Sequence, residues 1–152
     1  MKANELMTVK ANELMIGDLV SHFSEGKKCV VTELRGRKVA VSYTDDNGKK
    51  KYSVLLPEMA FEPIPTTAEI LERNGFNMMP KDACGYDNAI WELDTESGVG
   101  VELRMKYGKG VTIWNDTDND EDAPVYLLPF PRYVHELQHA LRLCGINKEI
   151  TI

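Results

Sequence analysis

Between residues 16 and 57 the chain alternates apolar and polar positions in short runs. Residues 19–22, 28–34, 38–43 and 51–56 are rich in β-branched or aromatic side chains. Turn signals separate them at Glu25-Gly26, Arg35-Gly36 and Asp45-Asp46-Asn47-Gly48, and Asn47-Gly48 suits a tight hairpin. In the third run Val39, Val41 and Tyr43 alternate with Lys38, Ala40 and Ser42. That is the period of a half-buried strand, so the first three are predicted to face inward. Four or five short strands within about 45 residues predict an SH3-like β-barrel over 16–63.

Beyond Pro57, Pro63 and Pro65 the texture changes. Thr66 or Thr67 is placed to cap a helix over 68–74, with Glu69 in its first turn and Gly75 as its stop. Residues 80–88 have the composition of a loop. Strands are then predicted over 89–94 and 99–107, where apolar and polar residues alternate with period two, and again over 111–114 and 125–128. Pro131 is tolerated at the opening of a last helix. Gly145 ends that helix, with Ile146 placed to pack back in a Schellman-type cap. The fold class is therefore α+β: an N-terminal SH3-like barrel, then a 66–152 unit in which two helices flank a small antiparallel sheet.

The first fifteen residues form an extension carrying a duplication. Lys-Ala-Asn-Glu-Leu-Met occurs at 2–7 and again at 10–15. One repeat of this length is too short for a solenoid, so it reads as a duplicated start whose second copy leads into the fold. Both copies favour helix by propensity.

Composition bounds the function more than it defines it. With 152 residues, 43% hydrophobic and 28% charged, the chain fits one globular domain or two small ones. The net charge of −6 disfavours nonspecific binding to nucleic acid or anionic membrane. The charge is uneven, however. Residues 1–65 carry 10 Lys+Arg against 9 Asp+Glu, and residues 66–152 carry 8 against 15. Cys29, Cys84 and Cys144 are odd in number and contain no C-x-x-C pair, which argues against a disulfide framework and for a reducing cytoplasm. No apolar run approaches membrane length, and the opening segment has a charge, Glu5, inside any would-be apolar core, unlike a secretory leader.

One motif names a reaction. His135-Glu136-Leu137-Gln138-His139 matches H-E-x-x-H, in which two histidines at i and i+4 share a helix face and ligate Zn²⁺ while the glutamate acts as general base. A helical wheel argues against it. Tyr133, Val134, Leu137, Ala140, Leu141 and Cys144 fall in an apolar arc centred near about 300°, and the two histidines average about 120°, on the opposite side. Arg132 and Arg142 flank the pair and oppose a divalent cation. A catalytic zinc needs a third protein ligand. The extended pattern would place Gly at 142 and His at 145, where the chain has Arg142 and Gly145. Glu149 is the sole acid after His139, leaving an upstream group such as Asp116 or His22 as the alternative. The histidines are therefore expected on a solvated or partner-facing helix surface. In the alternative, His135 and His139 bind zinc and Glu136 is the catalytic base.

Other candidates are weaker. Asp116, Asp118 and Asp120 open like a calcium loop, but Glu121 and Leu127 stand where the turn glycine and the bidentate acid belong, so residues 116–122 read as a solvated acidic loop. Arg35, Arg37, Lys38, Lys49, Lys50 and Lys51 form either two charged hairpin turns or a nucleic-acid patch. Trp91 and Trp114 read as core or sheet-surface residues, and Cys144 as a small buried hydrophobe.

Several phrases carry a resemblance together. They are Glu13-Leu14-Met15-Ile16-Gly17-Asp18, Glu62-Pro63-Ile64-Pro65, Glu69-Ile70-Leu71-Glu72-Arg73-Asn74-Gly75-Phe76, and Tyr133-Val134-His135 with Leu137-Gln138. Over most of 12–152 the chain resembles a family of small proteins of no assigned activity from gut bacteria of the Bacteroides group, often associated with phage or other mobile DNA. The family's closing helix often reads Val-His-Gln-Leu-Gln-Asn, so Glu136 and His139 depart from it, and the resemblance implies that the zinc pattern is local to this member. The expectation is a cytoplasmic, non-catalytic interaction or accessory protein of a mobile element. It has a protein partner, no cofactor and no membrane association. A zinc metallopeptidase and a nucleic-acid-binding accessory acting through the barrel are the alternatives.

Overall fold

Alternating runs in the N-terminal half become an antiparallel sheet because edge-to-edge pairing satisfies their backbone N–H and C=O groups and gathers their apolar side chains on one side. The computed structural model describes residues 8–79, 90–94, 99–104, 110–115, 126–128 and 131–152. The first copy of the duplicated hexapeptide, the predicted loop 80–88 and the acidic loop 116–122 lie outside them. The chain divides into two compact units, residues 1–65 with 133–135, and residues 66–132 with 136–152. The fold is α+β, with antiparallel sheets and, among the described residues, two α-helices.

In the first unit the strands are β1 (Leu19–His22), β2 (Lys28–Arg35), β3 (Lys38–Thr44), β4 (Lys50–Tyr52), β5 (Leu56–Pro57) and β6 (Phe61–Pro63). Their order is β4-β3-β2-β1-β6, with β5 pairing β3 beside β4. The predicted run 51–56 is thus two strands. Ser53 separates them: its Oγ accepts the Val41 N–H at 2.9 Å and donates to the Val54 carbonyl at 2.9 Å, replacing a ladder bond with side-chain bonds. The first and last strands pair, Val20 opposite Pro63 and His22 opposite Phe61. Hydrogen bonding does not close the sheet into a barrel. β4 and β6 remain its ends, and β6 runs into Pro63 and Pro65, which have no N–H to extend a ladder. Val39 and Val41 are buried as their parity predicts, and Tyr43 is half-buried on the same face. They form one core with Val20, Cys29, Val31 and Phe61.

The second hexapeptide copy belongs to that core. Val9, Ala11 and Leu14 are buried in it, and Ala11–Glu13 makes one 3₁₀ turn rather than a helix. Three acceptors hold this segment: the Phe61 carbonyl takes the Val9 N–H at 3.2 Å, Glu58 Oε2 takes the Ala11 N–H at 2.8 Å, and Asp18 Oδ2 takes the Met15 N–H at 2.7 Å. Gly17, at φ 93°, allows the turn that brings Asp18 back onto Met15.

The second unit contains α1 (Ala68–Arg73), β7 (Asn77–Met79), β8 (Ile90–Asp94), β9 (Val99–Arg104), β10 (Gly110–Asn115), β11 (Tyr126–Leu128) and α2 (Val134–Leu143), whose first residues group with the first unit. The strands form an antiparallel meander in chain order. Trp91 pairs with Leu103, and both are buried. β7 is too short for its pattern to be read from sequence. Thr67 caps α1 through its side chain. Both helices end in the same motif. Gly75 and Gly145 adopt positive φ, while Phe76 and Ile146 donate back to the carbonyls of Leu71 and Leu141. Asn74 ties down the chain's end: Nδ2 donates to the carbonyls of Ile70 and Thr151 at 2.7 Å each, and Oδ1 accepts the Thr151 N–H at 2.8 Å.

Candidate functional site

The start of α2 determines what the H-E-x-x-H residues do. A helix leaves its first N–H groups without intrahelical partners. The Val134 N–H donates to the Ile64 carbonyl at 2.8 Å, and Tyr133 bridges to Pro65. Glu136 is the third residue of the helix, the position from which a capping glutamate reaches back. Its Oε2 accepts the backbone N–H of Arg132 at 2.8 Å. That donor lies one residue before the capping-box position, so the candidate base is engaged by the backbone leading into the helix.

His135 is not on the surface, as the wheel predicts, but buried at 4% exposure. Its ring stacks on Tyr133, centroids 5.9 Å apart and planes 4° apart. The apolar arc underestimated what the helix covers. Val134, Leu137, Ala140 and Leu141 are buried as expected, but so is Gln138, and the buried arc widens across His135. His139 is half-buried, whereas Arg132 and Arg142 are exposed. Among the described residues no group of three or more His, Cys, Asp or Glu side chains is placed to hold a metal ion. Asp116, one proposed third ligand, lies outside them. The other, His22, is on β1, its Nδ1 3.1 Å from Ser24 Oγ and its ring edge-on to Phe61 at 5.7 Å. Glu149 is exposed. Cys144 is half-buried, its thiol donates to the Ala140 carbonyl at 2.6 Å, and burial raises its pKa.

Three of the six residues of the predicted basic edge are paired with acids. Arg35 pairs with Glu33 at 3.2 Å, Arg37 with Glu58 at 2.6 Å and Lys51 with Asp45 at 3.8 Å, while Lys50 lies over the Tyr52 ring at 5.6 Å. Glu58 gathers most. It accepts the Ala11 N–H and two guanidinium nitrogens of Arg37, and these partners hold its carboxyl below the usual carboxylate range.

A feature that no linear pattern signalled is a pocket of about 120 Å³ in the first unit. Buried Cys29 and Val41, with half-buried Leu56 and Ser53, give it an apolar interior. Both hydrogen bonds of Ser53 are internal, and the Cys29 thiol donates to the Lys27 carbonyl at 3.3 Å. Burial raises the Cys29 pKa and keeps the group a thiol. His22 and Tyr43 add aromatic surface. Glu25 and Lys27 pair at 3.0 Å, with the Lys27 ammonium 5.6 Å above the Tyr43 ring. That ion pair lowers the Glu25 pKa and raises that of Lys27. These residues come from separate strands, so only their parity could have hinted at a shared face. Among the described residues no helix is long and apolar enough to cross a membrane. No family model matches the chain, and no curated protein and no solved structure matches it.

Proposed function

We propose that the chain is a non-catalytic interaction protein, an accessory factor of the kind carried by phage or other mobile DNA, acting in the cytoplasm on a protein partner. The observation that carries this is the engagement of Glu136 by the Arg132 N–H. A general base on metal-bound water must face the metal and the substrate, whereas this carboxylate turns back to its own helix start. Burial of His135 against Tyr133 supports the same view, since it gives that side chain a packing role. For the first unit we propose an SH3-like barrel, supported by the pairing of β1 with β6 and by the 3₁₀ turn Glu58–Ala60 between β5 and β6. Free Cys29 and Cys144 are in keeping with a reducing compartment.

Metal content and hydrolysis test the proposal. After gentle purification zinc should be substoichiometric, and peptide substrates should show no chelator-sensitive cleavage. Stoichiometric zinc, with cleavage abolished by Glu136→Gln, would replace it with a metallopeptidase using His135 and His139. DNA or RNA binding that weakens steeply with salt would instead favour the nucleic-acid accessory.

A further inference from the structure

We propose that the groove holding residues 10–15 is a binding site for the hexapeptide Lys-Ala-Asn-Glu-Leu-Met, and that the other copy, residues 2–7 of the same chain, is its second occupant. This goes beyond the interaction reading and does not depend on it. The groove shows what it selects. Ala11 and Leu14 are buried in the core of the first unit, while Asn12, Glu13 and Met15 are exposed. The Ala11 N–H donates to Glu58 Oε2 at 2.8 Å. The rest of the fit is internal to the copy. The Lys10 carbonyl accepts the Glu13 N–H at 2.9 Å, the Ala11 carbonyl accepts the Leu14 N–H at 3.3 Å, and Lys10 pairs with Glu13 at 3.8 Å. All of these groups recur eight residues earlier, on Lys2, Ala3, Glu5 and Leu6. Buried Val9 precedes the seated copy and donates its N–H to the Phe61 carbonyl at 3.2 Å. Its counterpart is Met1, a flexible apolar side chain of the kind that adapts to irregular gaps.

Topology allows the exchange. When residues 2–7 take the groove, Met7 stands where Met15 stood, and residues 8–15 become a loop that returns the chain to Ile16. Ile16 is 66% exposed and needs no seat of its own. The same number of residues is ordered in either register, so the ordering entropy largely cancels. What remains is closure of the loop 8–15, which disfavours the exchanged register by about twenty-fold. Chain continuity adds to that penalty. The Met15 N–H donates to Asp18 Oδ2 at 2.7 Å, and the Asp18 N–H donates to the Met15 carbonyl at 3.1 Å. This turn runs straight from the second copy towards β1. The second copy is therefore the one seated in the native state. The first is a tethered reserve that keeps the core covered when the second leaves the groove.

The test is a stability cycle on the full chain. Leu6→Asp should leave the denaturant midpoint unchanged. Leu14→Asp should lower the folding equilibrium constant only by the register penalty, roughly twenty-fold or more, because Leu6 takes the vacated position. The two substitutions together should lower it further, by about thirty-fold or more, as loss of a buried leucine does. Amide-resolved NMR gives a second readout. In Leu14→Asp the Ala3 amide should report the titration of Glu58, the role that the Ala11 amide has in the wild type. If Leu14→Asp loses its native spectrum, Leu14→Ala with and without Leu6→Ala repeats the cycle. Equal stability of the single and double variants in the cycle that folds, or an Ala3 amide blind to Glu58, would overturn the proposal. Rescue that grows with protein concentration would also overturn it, by assigning the second occupant to another molecule.

Discussion

The two units tie down a chain segment near each terminus with different chemistry. In the first, the N-terminal segment is held by a charged clamp, as Glu58 accepts the Ala11 N–H and is braced by Arg37. In the second, the C-terminal segment is held by a neutral clamp, the Asn74 amide exchanging bonds with both backbone groups of Thr151. An amide offers donor and acceptor together and so copies one rung of a β-ladder without charge. A carboxylate only accepts, needs a cation to balance it, and loses its acceptor strength on protonation. The first clamp should therefore respond to pH and the second should not.

The comparison can be broken at several levels. The largest effect should come from packing rather than from either clamp. Leu137→Ala should destabilise by about 2–5 kcal/mol in a denaturant titration, because Leu137 is fully buried on α2. Asn74→Ala should lose about 1–3 kcal/mol, the cost of leaving buried polar groups without partners, and should do so equally at neutral and acidic pH. A strongly pH-dependent loss there would show that the two clamps are not chemically distinct.

Glu58→Gln sharpens the contrast. The Glu58 carboxyl lies below its unfolded value of about 4.3. The stability it contributes is thus fully present above that value and is lost as pH falls through the lower folded value. The substitution should reduce stability at neutral pH and flatten the acid limb relative to wild type. An unchanged acid limb would sever Glu58 from the pH response. The smallest effect is expected at His139→Ala, about 1 kcal/mol or less for a half-buried position away from the apolar arc, and His135→Ala should exceed it. Equal losses would contradict the burial difference along the helix.

What the sequence disclosed depended on the element. Strand parity has two outcomes only, so Val39 and Val41 were assigned inward correctly from alternation. The helix stops at Gly75 and Gly145, the second read as a Schellman end, were likewise legible, because positive φ falls most readily to glycine. A helix presents a continuous circumference, and how wide a stripe is covered depends on its surroundings. That is why His135 and Gln138 were assigned by wheel to the wrong environment or to none.

The sequence by itself determined the α+β class, the strand-rich N-terminal half, the position of α1, the end of α2 though not its start, which falls at Val134 rather than at Pro131, and the oddness of H-E-x-x-H in a chain lacking its usual third ligand. Each of these depends on local periodicity, capping or spacing. The tertiary structure alone decided that the second hexapeptide copy is part of the core, that Ser53 splits a strand, that Glu136 accepts the backbone N–H of Arg132 just before its helix, and that His22, Cys29, Tyr43 and Leu56 surround one pocket. Those outcomes depend on which groups meet across long sequence separations. A hydrogen-bond acceptor such as Glu58 takes its role from a backbone N–H forty-seven residues away, and no local pattern encodes that meeting.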